Sequence, residues 1–412
     1  MLRLFEATGI ELEYMIVRAD SLAVAPKADL LLEEVAGGLT DEHESGDICW
    51  NNELALHVLE FKLNGPQPSL DGLADSFARE IATASTIADR HGLRLMPGGM
   101  HPWMDPDREL KLWPHDSREV YDTFDRIFSC RGHGWANLQS MHINLPFEGD
   151  AEFGRLHAAI RFLMPLLPGL TASSPVMDGA ITGTADNRLA VYRTNCARIP
   201  SITGDVVPEP VYTTGGYHDE ILKRIYADLA PHDRTKVLQE EWVNARGAIA
   251  RFERSAIEIR VLDVQECPGM DLAFARLVIA TLKALCAERW CDLAALQEWR
   301  TSDLARYYDA AVVAAECADI HDSRYLGALG FPRSHGSVHE TWAWLAERAA
   351  EAGAFDRASE RLIEHYLSHG TLATRLVASL PTEPERADLE RSWRRLCDCL
   401  QSGEPFAPER RR

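Results

Sequence analysis

Over the first 265 residues, apolar and polar positions alternate in several short runs. A period of two is the signature of half-buried strands. ATGIELEYMIV, the stretch ICWNNELALHVLEFKLNG, LRLMPGG, the run over 139–146 and RFERSAIEIRVLD all read this way, and the second closes on the turn pair Gly65–Pro66. Between them the period becomes helical. Residues 69–91 place Leu70, Leu73, Phe77, Ile81, Ala84 and Ile87 on one stripe, with Ser69 as the expected N-cap and His91–Gly92 as the stop. Further helices are predicted over 118–129, 151–167 and 217–229, and the stretch 100–116 is a loop rich in Pro, Trp and His. Residues 171–215 are small, polar and Gly-rich with little period, and so long a segment in a compact protein is usually functional. From about residue 270 the pattern is helical to a charged tail, PERRR, with no internal repeat or low-complexity linker. The expectation is an α+β fold: an antiparallel sheet made by residues 1–268, with packed helices, and a mainly helical part over 269–412.

Composition narrows the partners. The chain has 412 residues, 46% hydrophobic and 26% charged, with 63 acidic against 43 basic side chains and a net charge of −20. Such a surface is not built to neutralise a phosphate backbone, so no nucleic-acid partner is expected, although a metal could still supply local positive charge for a nucleotide. The N-terminus lacks the apolar core of a signal peptide, and the apolar patch over 162–170 is short and carries two prolines. No membrane partner and a cytoplasmic location are expected. Nine cysteines are scattered, with only Cys397 and Cys399 close together, which reads as free thiols in a reducing compartment.

Three of the predicted strands share an oddity. Glu11/Glu13, His142/Asn144 and Glu258/Arg260 each stand at i and i+2, on one face, while Ile10, Leu12, Ile143, Ile257 and Ile259 point the other way. Taken singly, each pair is a solvated strand face; taken together, they are groups that a sheet could gather onto one concave face. Glu53 and Glu60 add two carboxylates, but their seven-residue separation puts them on opposite faces unless a bulge intervenes or Glu53 sits in the loop before the strand. Gathered carboxylates repel one another and are costly to desolvate, and a hard divalent cation relieves both costs. That is the case for Glu11, Glu13, Glu53, Glu60 and Glu258 as a metal set. Arginines cluster nearby in sequence, Arg188 and Arg193 in one segment and Arg246, Arg251 and Arg254 in another. Each alone is an ordinary surface residue, yet guanidinium forks suit phosphate oxygens. No Walker loop, HExxH, GxSxG or CxxC occurs, and Gly98–Gly99 and Gly215–Gly216 are only turn signals. Single histidines such as His57, His101 and His133 are more often core or surface residues than ligands.

Read in order, GIELEY, NNELALHVLEF, QSMHINLPF, ASSPVMDGAITGTADNR and NARGAIARFERSAIEIRVLD resemble the landmarks of the glutamate–cysteine ligase superfamily, and its bacterial type-2 carboxylate–amine ligases most of all. The resemblance covers residues 5–265, and the C-terminal helices match loosely. It implies one catalytic domain over 1–412, with a curved antiparallel sheet funnel of the glutamine synthetase/guanido kinase catalytic type. It implies ATP and Mg²⁺, with Mn²⁺ as a substitute, and small-molecule substrates: a carboxylate donor, expected to be glutamate, and an amine acceptor, cysteine by default. By the same resemblance Glu11, Glu13, Glu53, Glu60 and Glu258 bind metal. His142 and Asn144, with Arg246 and Arg251, face the nucleotide, and Arg260, Arg188 and Arg193 are the catalytic arginines. A homodimer is plausible for the helical part. Two positions depart from the pattern: Asn144 stands where many type-2 members carry a second histidine, and Val176–Met177 follow the SP step where Trp or Phe is frequent. The alternatives are phosphoryl transfer to a guanidino or other amine group, metal-dependent amide hydrolysis, and a non-catalytic nucleotide or amino-acid binder.

Overall fold

A computed structural model describes residues 2–408. The first alternating run becomes the central strand of the sheet, β1 (Gly9–Arg18). It is followed by β2 (Glu42–Ser45), β3 (Ile48–Asn52), β4 (Val58–Leu63), β5 (Leu93–Met96) and β6 (Ser140–Pro146). A small separate hairpin, β7 (Val176–Met177) and β8 (Ala180–Ile181), precedes β9 (Ala248–Arg251) and β10 (Ala256–Asp263). The main sheet runs β2-β3-β4-β1-β6-β10-β9, with β5 added to β1, and every pairing is antiparallel. The long second run of the sequence is thus two strands, β3 and β4, joined by a loop that contains Glu53. From Tyr14 to Val17 every side chain of β1 is buried, so the alternation gives way there to the continuous apolar run of a strand covered on both faces.

Helices cover the apolar face. Helix Leu73–Arg90 buries Leu73, Phe77, Ile81, Ala84 and Ile87 and packs on β5 and on helix Pro268–Cys286. Its start differs from the sequence expectation. Gly72, at φ +76°, precedes the first helical residue, and Ser69 instead accepts the Asp71 N–H at 3.1 Å in a local turn. Its end is as expected: the His91 N–H closes on Ala88, and Gly92 takes φ +66°, a conformation that suits glycine. The period-poor segment 171–215 holds helix Asn187–Tyr192, capped by the Asp186 carboxylate on the Leu189 N–H.

Beyond β10 the long elements are helices, among them Pro268–Cys286, Thr301–Ala314, Val338–Glu351, Arg357–His369 and Arg386–Ser402. Helix Arg386–Ser402 lies against β5 and helix Leu73–Arg90, and one apolar cluster extends from Ile10 to Phe406. Of the PERRR tail only Pro408 falls within the described residues. Among the described residues, no helix is long and apolar enough to cross a membrane, and no disulfide joins any of the nine cysteines.

Candidate active site

The polar pairs meet because their strands are neighbours. β4, β1, β6 and β10 lie side by side, and the register sets Glu13 opposite Glu60, Glu11 opposite His142 and Glu258 opposite Asn144. Their flanking residues Ile10, Leu12, Ile143, Ile257 and Ile259 are buried on the other face. Between Ile259 and Leu262 the pairing of β10 with β6 shifts register, so Arg260 falls in an irregularity of the kind that re-aims a side chain. Glu53 leaves the end of β3 and reaches the same place from the loop. A cavity of about 520 Å³ opens over all five carboxylates, His142, Arg188, Arg251 and Arg260.

The hydrogen bonds within it are dense. Glu11 takes the Asn144 amide at 3.0 Å and pairs with His142 Nδ1 at 2.8 Å. Glu13 accepts both the backbone N–H and the hydroxyl of Ser140, at 2.7 and 2.9 Å. Glu258 accepts from Arg251 at 2.9 Å and from Arg260 Nε at 3.0 Å. These partners decide protonation. Burial opposes the charge on Glu258, but Arg260, His142 and Arg251 outweigh it and hold its carboxyl down at about 2. Burial likewise opposes ionisation of Glu11, and the His142 hydrogen bond still keeps it below its ordinary value. His142 is raised, its burial overcome by Glu11. Glu53 and Glu60 lack such support. Burial, followed by the neighbouring Glu13 and Glu11 charges, pushes Glu53 up to about 8, and burial with Glu11 and Glu53 sends Glu60 well above its usual range.

The donor set fits a divalent metal. One ligand atom each from Glu11, His142 and Glu258 lie within 4.8 Å of one another, and Glu13, Glu60 and His142 form a second such group. Carboxylate oxygens with a single imidazole suit a hard cation, and a cation would relieve the repulsion that drives Glu53 and Glu60 towards protonation.

The arginines divide. Arg251 and Arg260 line the cavity and clamp Glu258. Arg188 also lines it, but its Nε is committed to Asp263 at 2.5 Å and its Nη2 to the Arg260 carbonyl. The same Asp263 accepts from Ser173 and Ser174. Arg193 and Arg246 are not brought to the cavity. Arg193 pairs with Asp309 near the surface, and Arg246 makes a two-armed pair with Glu209 and bonds the carbonyl of Ser201. Asn144 reaches Glu11 from a second cavity of about 350 Å³, which shares Glu11, Lys62 and Arg254 with the first.

Some lining residues escaped the sequence reading. Lys62, 3.6 Å from Glu60, and Ser140, bound to Glu13 and His142, stand two residues from groups already singled out. The i, i+2 rule applied once more would have found both. Tyr121, Trp135, Asn195 and Trp242 come from helices and loops far apart in sequence, and no spacing announces them.

Residues 7–377 match the model of Glutamate-cysteine ligase family 2 (GCS2). An uncharacterized protein of Archaeoglobus fulgidus is 31% identical over 338 residues, 81% of this chain and 91% of its own. A Nocardioides protein bearing the name "Putative glutamate--cysteine ligase 2-1" is 27% identical over 306 residues, 72% of each chain. The crystal structure of a glutamate–cysteine ligase of Francisella tularensis in complex with AMP superposes with a TM-score of 0.61, covering 96% of this chain and 89% of that one. At 13% identity that likeness is one of fold. The family match and the fold define an enzyme of the carboxylate–amine ligase kind. Within that class, the chain belongs to glutamate–cysteine ligase family 2.

Proposed function

We propose that this protein is an ATP- and Mg²⁺-dependent ligase that joins the γ-carboxylate of glutamate to an amine through an acyl phosphate. The observation that carries this reading is the meeting of five carboxylates and His142 with Arg251 and Arg260 in one cavity. We read residues 1–412 as one catalytic unit working in the cytoplasm, its sheet shaped as a funnel by residues 1–268 and braced by the helices of 269–412, with a homodimer as its assembly.

Glu11, Glu13, Glu53, Glu60, Glu258 and His142 would hold the metal, which when bound neutralises the polyphosphate and polarises its terminal phosphoryl group. The nucleotide lies in the second cavity, beside Asn144, so that its phosphates meet the shared wall of Glu11, Lys62 and Arg254. The AMP bound by the Francisella ligase supports a nucleotide in this fold. A donor carboxylate oxygen attacks the γ-phosphorus and ADP departs. Arg260, fixed by Glu258, offers its remaining N–H groups to the charge that develops on the transferred oxygens. The amine nitrogen then attacks the acyl carbon, the C–O bond to phosphate breaks, and the amine proton passes to solvent. No enzyme nucleophile is required; the protein positions reactants and balances charge.

The test is phosphate release from ATP and Mg²⁺ with amino acids offered in pairs, followed by mass analysis of the product. An amide mass with one phosphate per product is expected. A Glu11→Ala protein that folds normally and retains its metal-dependent ATP turnover would sink the assignment.

A further inference from the structure

The cavity is not acidic throughout. Where helix Arg118–Phe128, helix His133–Ala136 and the turn Glu241–Val243 form its wall, the lining is Val120, Tyr121, Phe124, Trp135 and Trp242. These rings brace one another across the three segments. Phe124 lies 5.1 Å from Trp135 and 5.9 Å from Trp242, and Phe128 stacks on Trp135 at 5.5 Å. Trp135 is further fixed by its indole N–H, which donates to the Asn195 carbonyl at 3.0 Å. The preceding Gly134 allows this approach, since a Cβ there would stand 2.8 Å from Asn195 Cβ and 3.0 Å from the Val191 carbonyl. Tyr121, Trp135 and Trp242 are only half-buried, so they present ring surface to the cavity.

This wall begins at the reacting centre. The Tyr121 hydroxyl accepts the Asn52 amide at 3.2 Å, and Asn52 precedes Glu53 in the chain. Asn195 joins the same wall; its Nδ2 donates to the Gly134 carbonyl, while its Oδ1 is enclosed and has no partner. The cations of the lining, Lys62, Arg188, Arg251, Arg254 and Arg260, come from β4, from helix Asn187–Tyr192 and from the β9–β10 hairpin. None comes from the three segments that carry Tyr121, Trp135 and Trp242, although Tyr192, on the helix of Arg188, also lines the cavity. A carboxylate donor is therefore drawn to one side of the cavity, which leaves the aromatic side to its co-substrate. A cysteine side chain is too short to cover these rings and would leave them facing water. A ring carried one to three carbons from the amine would cover them and gain both apolar burial and ring contacts.

We propose that the amine acceptor is an aromatic primary amine, either an arylalkylamine or an aromatic amino acid. Its ring lies against Tyr121, Trp135 and Trp242. The role of this compound as acceptor rests on the ligase reading given above; its preference for the wall does not. In the reaction its nitrogen forms the C–N bond, phosphate leaves with the C–O electron pair, and one amine proton is lost to solvent.

The experiment has a binding arm and a turnover arm, both on the full chain. Isothermal titration with phenethylamine, phenylalanine, propylamine and cysteine, with Mg²⁺ and glutamate present, reads the wall directly. One of the aromatic amines is expected to bind at least about tenfold more tightly than cysteine or propylamine, and comparison of phenethylamine with phenylalanine separates the two sources of the ring. Trp242→Ala is expected to erase that margin, Trp242→Phe to keep most of it, and ATP binding to change less than about twofold in both. Cysteine binding as tightly as the aromatic amines, or a Trp242→Ala loss confined to ATP, overturns the proposal. In the turnover arm, phosphate release that prefers cysteine overturns this inference alone. Ring binding with no phosphate release from any pair overturns the acceptor role together with the ligase reading.

Discussion

Glu13 and Glu60 are direct partners across antiparallel strands, two buried carboxylates set face to face in the register of β1 and β4. Like charges directly opposite destabilise a sheet. The arrangement is a cost to the fold that a cation, bound as proposed, would convert into affinity. Glu60→Gln is therefore expected to stabilise the metal-free protein by about 1 kcal/mol while lowering turnover at least about 100-fold. Urea unfolding in the presence of a chelator reads the first effect. Mg²⁺ should raise the melting temperature of the natural protein and much less that of the variant.

Arg188 and Asp263 form an ion pair in which both side chains are almost wholly buried. Removal of one partner strands the other charge, which typically costs about 3–5 kcal/mol. Asp263→Ala should lose stability on that scale in chemical denaturation. A loss below about 1 kcal/mol would show that Arg188 is free to serve the cavity instead of being held in place.

Arg193 and Arg260 should behave in opposite ways. Arg193 pairs with Asp309 where both side chains are more than a third exposed, and such pairs contribute about 0–1 kcal/mol. Arg193→Ala should leave kcat and KM within about twofold, whereas Arg260→Ala should lower kcat by about 100-fold or more. Steady-state kinetics on the two variants decides between them.

Acid should weaken the fold through three histidines held neutral by burial. His57 is depressed to about 4, and His101 and His157 to about 3, each with a ring nitrogen on a backbone carbonyl: Ala136, Leu22 and Val211. In the unfolded chain these rings take up protons near their ordinary value of 6.5. Their contribution is complete above that pH and is lost progressively as the pH falls towards 4 and then 3. Denaturation midpoints between pH 7 and 4 should fall with pH, and His101→Gln should flatten the slope.

What the sequence disclosed depended on the range of the signal. Alternation within one strand placed Glu11 with Glu13 and Glu258 with Arg260, because a period of two is local. That β1, β6 and β10 are neighbours is a pairing across more than 100 residues: the three pairs suggest one shared face, but local alternation cannot supply the strand order. The sequence allows Glu53 two placements because one apolar run conceals the break between β3 and β4. Arg193 and Arg246 look like Arg251 in sequence. Only the fold shows that Asp309 and Glu209 claim them, a matter of tertiary partners on which spacing is silent. Ser69 was a reasonable cap by residue type, but Gly72 supplied the left-handed turn that decides where the helix starts.

Glu11, Lys62 and Arg254 belong to the walls of both cavities, and this makes the two compartments a single electrical circuit. An anion that settles on one side changes the field at the other within a few ångströms, so the ligands on the two sides cannot fill independently. Such coupling is reciprocal: if the nucleotide and the donor take the two cavities as proposed, whatever factor the nucleotide imposes on the affinity for the donor, the donor returns to the nucleotide. On the proposed reading, three shared side chains would therefore let each substrate adjust the affinity for the other.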